Sequence, residues 1–245
     1  MKRALLSPIA IGLTLLTLVI IVGCTKASIW QYHRGVTRHD TNVQIKSNTA
    51  RTPLTETEFV ALLKDPNSLP SNQWRTITIT GSFKPDHELL LRNRYVEGRY
   101  GFGVITLFES NSGEIFWVDR GWIQAGKDAK TPPEVLATST NQISINARLR
   151  TRDLTNRVQG SFFAIPNGKK SQLQNWDKSQ SVETANFSLD LLSASDSRLD
   201  PKFPNPLPEL TDGPHFAYAL QWLLFALLAL FGRVLIFREA LRASK

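Results

Sequence analysis

The chain has 245 residues, with 29 Lys and Arg against 21 Asp and Glu, and a single cysteine. One cysteine excludes an intramolecular disulfide, a C-x-x-C redox pair and the C-x-x-C-H attachment of a c-type haem, and it disfavours copper transfer through paired thiolates. The net charge of +8 does not mark a phosphate-binding surface: Lys2, Arg3, Arg233, Arg238, Arg242 and Lys245 against Glu239 put +5 at the two ends, and the +3 left is spread over everything between, the pattern of topogenic charge around membrane segments.

Leu5 to Gly23 carries no charge and the apolar run continues to Ile29, so residues 1–29 read as a first membrane helix behind Lys2-Arg3. Ile21-Val22-Gly23-Cys24 resembles a lipoprotein cleavage box. The run is longer than the roughly 7–15 apolar residues of a signal peptide, however, which favours a retained helix with Cys24 as a small buried residue. Trp30 stands where an interface aromatic belongs. The helix is expected to continue through Arg34, where Trp30 and Arg34, one turn apart, can stack as a cation–π pair. Thr55 to Lys64 opens with a capping-box pattern, Thr55 to Glu58, and shows an apolar face at Phe59, Leu62 and Leu63, which predicts a short surface helix ending before Pro66.

Residues 30–212 form the exported part, read as rich in β structure. Trp74 to Thr80 alternates at period two, and Gly81 marks a bulge or turn. Glu88–Arg94, Gly101–Glu109, Glu114–Trp122 and Gln142–Arg150 follow as strands, punctuated by Pro85-Asp86, Glu97-Gly98, the hairpin signal Asn111-Ser112-Gly113, and Pro132-Pro133. Five strands with short polar links predict an antiparallel barrel or sandwich with minor helices. Beyond Arg150 the pattern weakens: Phe162–Ile165 has strand character, Phe187–Leu192 is ambiguous, and 154–197 is otherwise unassigned. Pro201, Pro204, Pro206 and Pro208 make a stiff, extended return to the membrane.

A second apolar helix, residues 213–237, and a basic tail, 238–245, close the chain. Gly213 is a candidate cap and Pro214 suits the first helical position. His215 then lies in the first turn at the membrane boundary, where the positive end of the helix dipole favours a neutral imidazole with a lone pair free for a metal. Tyr218 and Trp222, three and seven residues on, share its face. Two readings stay open: an axial ligand at the edge of a flat apolar cofactor, or an interface anchor of hydrated histidine and amphipathic aromatics. Basic residues outside both helices place both termini in the cytoplasm and the long central loop outside.

The central part offers no enzyme site. Asp119 and Arg120 adjoin on a strand and so face opposite ways, which suits a buried charge network beside a close-packed Gly121. His33 and His39 are at neither helical metal spacing, and no G-x-S-x-G, P-loop or H-E-x-x-H occurs. The chain is therefore read as a non-enzyme.

Four segments, in order, resemble the Surfeit locus protein 1 family of cytochrome c oxidase biogenesis factors. Trp30-Gln31-x-x-Arg34 resembles its W-Q-x-x-R signature, and Trp74 to Phe83 its strand ending in glycine–x–aromatic. Leu91-Arg92 through Gly101, with Trp117-Val118-Asp119-Arg120-Gly121-Trp122, is similar to its central R…G and V-x-R-G-W segments. Gly213-Pro214-His215-Phe216-Ala217-Tyr218-Ala219-Leu220-Gln221-Trp222 resembles its G-P-H-x-x-Y-A-x-Q-W start of the second helix. Thr106-Leu107-Phe108 and Gln124 stand where the family tends to have prolines. The resemblance implies two transmembrane helices around a β-rich exported domain of a bacterial plasma-membrane protein. It implies maturation of haem-copper oxidase subunit I, with subunit I and haem a synthase as partners beside the lipid bilayer, and no nucleic acid. It also implies transient haem a binding, with His215 as axial ligand to the iron and Tyr218 and Trp222 beside the cofactor. Trp30, Gln31, Arg34, Arg120, Gly121 and Trp122 are expected to serve folding or partner docking. The alternatives are a cofactor-free scaffold for an oxidase assembly intermediate and, third, a tethered exported hydrolase or lipid-modified receptor.

Overall fold

The computed structural model describes residues 7–126, 133–151 and 172–242. The chain divides into two compact units, one of residues 1–43 with 209–245 and one of residues 44–208. The expected strand at Phe162–Ile165 lies outside the described residues.

The first unit is built on helices α1 (Pro8–Ala50) and α4 (His215–Arg242), both long and apolar enough to cross a membrane. At 43 residues, α1 is about twice the ~20 residues that one crossing needs, and it runs well beyond the expected end at Arg34. The reason is local. No proline interrupts Val36 to Ala50, and the helix stops just ahead of Pro53, whose ring disfavours helical geometry at the residue before it. The helices pack antiparallel. Near one end Arg233 Nη2 donates to the Ala10 carbonyl at 3.0 Å and to Thr14 Oγ1 at 2.7 Å. Further along, Ser28 Oγ donates to the Ala219 carbonyl at 2.8 Å. These bonds satisfy polar groups that hydrocarbon would leave unpaired. Cys24 is buried within α1.

The second unit centres on a closed barrel. After the short helix α2 (Glu56–Leu63) come β1 (Thr76–Val96), β2 (Arg99–Ser110), β3 (Ile115–Gln124), β4 (Ile143–Arg150), helix α3 (Gln172–Gln180) and β5 (Ser188–Ala194). The strand order is β1-β2-β3-β5-β4, antiparallel throughout except β3 with β5. The expectation of a barrel or sandwich resolves to the barrel.

Two strands expected on either side of Pro85-Asp86 are one. Lys84 pairs with Leu107 and Glu88 with Thr106, so Pro85, Asp86 and His87 bulge out between consecutive rungs. A proline without an N–H is tolerated at such a break, and the added bend lets one long strand serve two faces of a barrel. Gly81 lies within β1, opposite both Ser110 and Ile143, rather than at a turn. Glu97-Gly98 does make the tight turn, both residues having positive φ. The ambiguous Phe187–Leu192 stretch becomes β5, which closes the barrel.

Ile77, Ile79, Phe83, Phe108, Phe116, Val118, Ile145, Leu149, Phe187 and Leu189 fill the main core, with Phe59 of α2 against it. The Thr55–Glu58 capping box forms as expected. A smaller cluster gathers Leu91, Ile105, Leu107 and Trp117 around Trp176 of α3. The polar α3 sequence gave no sign of itself; it is anchored by that tryptophan and by Asp177, which accepts from Trp117 Nε1 at 2.8 Å.

Candidate functional site

The site forms where the chain enters α4. Asp212 is held to α1 by His39 Nδ1 at 2.9 Å and by Asn42 Nδ2 at 2.9 Å. Arg38 donates to the carbonyls of Thr211 at 3.1 Å and Glu209 at 2.8 Å. Gly213 then turns the chain with φ of +66°, a conformation that glycine adopts without strain. The Pro214 carbonyl accepts from Tyr218 N at 3.0 Å, so Pro214 is the capping residue and His215 the first residue of the helix, one position later than expected.

His215 Nδ1 lies 3.0 Å from Oε1 of Gln31 on α1. With the amide oxygen in that place, Nδ1 must carry the hydrogen, and the neutral ring keeps its lone pair on Nε2. Nε2 takes no hydrogen bond among the described residues. A side chain at position 213 would sit 3.7 Å from Nε2, so glycine there keeps that edge of the ring open.

Beside the ring is a concavity of about 610 Å³, lined by Trp30, His33, Arg34, Thr37, Arg38, Thr41, Thr211, Asp212, Gly213 and His215. The Arg34 guanidinium stacks over Trp30, 5.6 Å from its ring centre, as the spacing predicts. Tyr218 and Trp222 do not line this space. Both are substantially exposed on α4, and Trp222 meets Phe225 edge-on at 5.8 Å. The histidine and the W-Q-x-x-R turn, distant in sequence, thus share one site. Trp30, Gln31 and Arg34 were expected to serve folding or partner docking and not to meet the histidine, and His33 was not expected here at all. Their signal was topological: antiparallel helices put the exit of the first and the start of the second at one membrane face.

The donor set fits a haem better than a bare ion. His215 offers one nitrogen, and among the described residues no group of three or more His, Cys, Asp or Glu converges as a resident metal ion would need. A single imidazole beside an apolar ring and a cation suits a metal whose other ligands come from a macrocycle.

In the barrel, Asp119 and Arg120 enter separate networks on opposite faces of β3. Arg120 Nη1 pairs with Glu88 Oε2 at 3.0 Å, and its Nη2 donates to the Leu136 carbonyl at 2.6 Å. Burial pushes the Glu88 carboxyl up, against the pull of Arg120 and Thr106, and pushes the Arg120 guanidinium down. Asp119 accepts from Gly121 N at 2.9 Å and has Arg94 at 3.6 Å. Burial raises its pKa against the pull of Arg94, and Asp190, its neighbour in the ladder, adds to the rise. Gly121 has φ of +92°, and a Cβ there would press on Pro201 and the Phe203 carbonyl, which accepts from Trp122 N at 3.0 Å. These residues brace the barrel against the proline-rich segment.

The sequence model of the SURF1 family matches residues 18–227, a span that takes in every residue of the site and the barrel. The chain is 27% identical over 237 residues to an uncharacterized SURF1-like protein of Mycobacterium bovis, covering 93% of this chain and 83% of that one. SURF1-like proteins from two strains of Mycobacterium tuberculosis match to the same extent.

Proposed function

The chain belongs to the SURF1 family, which has a role in cytochrome oxidase assembly, and from that premise we propose that it holds haem a at His215 and assists its delivery to oxidase subunit I. The observation that carries this reading is the His215 ring: Nδ1 is engaged by Gln31 at 3.0 Å, and the residue lines the concavity. An imidazole held at one nitrogen is oriented for coordination at the other. The haem, when bound, supplies the iron that takes this nitrogen and the apolar ring that packs on the wall. One protein ligand on an open concavity makes a weak site, which suits a carrier that must release its cargo. Trp30 is the wall next to the histidine, while Tyr218 and Trp222 extend the apolar surface along α4. Haem a synthase is the natural donor partner and subunit I the acceptor. In this reading the protein lies in a bacterial plasma membrane with both termini in the cytoplasm and the barrel outside.

The test is the visible spectrum of protein purified from cells that make haem a. His215→Ala is expected to lower haem occupancy and the haem content of the oxidase while its own abundance stays near the parent's, because the apolar stretches that direct insertion are unchanged. Tyr218→Ala and Trp222→Ala should weaken retention less, since neither side chain lines the concavity or supplies a coordination bond. Equal haem and an unchanged Soret band in His215→Ala would sink the proposal and leave the cofactor-free scaffold as the better reading.

A further inference from the structure

We infer that the Trp30–Arg34 turn of α1 is the second half of the His215 site: Gln31 is the positioning residue that sets the imidazole tautomer, and Arg34 takes a carboxylate of the bound ligand. The inference rests on the proposed coordination by His215 and names the ligand's second recognition element. A ligand that satisfies both is a metallotetrapyrrole bearing free carboxylates.

Gln31 is half-buried and meets His215 Nδ1 at 3.0 Å. A neutral amide oxygen orients the ring and favours the tautomer with its lone pair on Nε2. It adds less electron density to the ring than a carboxylate would, so the metal bond stays weaker. Position 31 thus separates a carrier's histidine from a permanent one.

The case for Arg34 is one of elimination along the rim. Arg38 also borders the concavity, but its Nε and Nη2 are engaged by the Thr211 and Glu209 carbonyls. Arg34 pairs with no carboxylate among the described residues, and its contact is the face of Trp30 at 5.6 Å. With its charge over that ring and no carboxylate partner among the described residues, the guanidinium can donate two parallel N–H bonds to a ligand carboxylate. Trp30 and Arg34 therefore present an apolar plane and a cation side by side, one turn apart on α1 and across from the histidine.

The full-length protein in detergent is titrated with ferric protoporphyrin IX and with its dimethyl ester, in which both carboxylates are masked. The parent protein is expected to bind the free acid at least roughly tenfold more tightly than the ester, the scale of one charge-assisted bidentate pair. Arg34→Ala should abolish that preference, and Arg34→Lys should restore part of it. Gln31→Leu should weaken binding of both probes by roughly 10- to 100-fold, as loss of a partner behind a metal-bound histidine does. Gln31→Glu should bind more tightly and lower the iron reduction potential. Equal affinity of the parent for acid and ester overturns the role of Arg34 without any variant having to fold. Unchanged affinity, potential and EPR signal of the ferric probe in both Gln31 variants overturns the role of Gln31. If His215→Ala itself binds ferric protoporphyrin IX with the parent's spectrum, the coordination reading fails first, and that result is distinct from the other two.

Discussion

Arg120 is almost fully enclosed, and its partner Glu88 retains some contact with water, with side-chain exposures of 6% and 26%. Removing the guanidinium would leave the Glu88 carboxylate without its counter-ion in a largely dry place. Arg120→Ala should cost about 3 kcal/mol, the low end of the ~3–5 range for breaking a buried pair, because water can still reach Glu88. The check is the level of folded protein: abundance should fall before activity per molecule does. Normal abundance with lost oxidase maturation would instead mark Arg120 as part of a contact surface. The adjacent Asp119 carries a pH signature. Its folded pKa is raised above the ordinary 3.8 by burial. The stability associated with the neutral carboxyl is therefore present below about pH 3.8 and lost as pH rises through the higher folded value. Asp119→Asn keeps an acceptor for Gly121 N and removes the ionisation. Its stability relative to the parent should rise with pH across that window, and denaturant midpoints at a series of pH values would show a flat difference if Asp119 were unperturbed.

Among the elements, α2 depends on its start. Thr55 Oγ1 accepts from Glu58 N at 3.3 Å, and Glu58 Oε2 accepts from Thr55 N at 2.8 Å. Thr55→Ala should cost about 1 kcal/mol, the usual worth of an N-cap, seen as a shifted denaturant midpoint with an unchanged slope. The α1–α4 pair depends on a close approach at Gly35. A Cβ there would lie 2.9 Å from two ring carbons of Phe216. Gly35→Leu should spread the helices where the histidine is held, and Phe216→Ala in the same chain should relieve it. Disulfide formation between Ser28→Cys and Ala219→Cys, in a Cys24→Ser background, reports the spacing. An undiminished yield in Gly35→Leu would show that the Phe216 ring simply swings aside.

At the scale of the whole chain, charge and helix count together carry the proposed topology. The proposed topology, with both termini on one side and the barrel on the other, rests on two apolar helices with basic residues beyond their outer ends. A reporter placed after Arg38 and one fused to the C-terminus should therefore register opposite compartments, and the same compartment for both would refute the arrangement. The length of α1 means that the reporter after Arg38 interrupts a helix. A protease-accessibility assay on the intact protein is the companion measurement, with the barrel cleaved only from outside.

Much of this architecture is local chemistry and could be read from the sequence alone. The apolar stretches at both ends, the Thr55 capping box, the Trp30–Arg34 stack and the alternation of Thr76 to Thr80 each depend on side chains within a turn or two of one another. Helical and strand periodicities display such relations directly. The opposed faces of Asp119 and Arg120 follow from the same pleat. What the sequence left open were choices among distant partners. Pro85 reads as a turn until β2 is seen to pair on both sides of it. Phe187–Leu192 is ambiguous until it has β3 and β4 as neighbours, and α3 is unremarkable until Trp176 finds Trp117. His215 was legible as a candidate, but its neighbours were not. On its own helix the i+3 and i+7 positions point to Tyr218 and Trp222. The antiparallel packing of α1 instead brings Gln31 to the ring and Trp30 and Arg34 to the concavity beside it. Periodicity records which residues share a face of one element; which face meets which is decided by burying apolar area and pairing polar groups across the fold, and that becomes determinate only when the elements are packed.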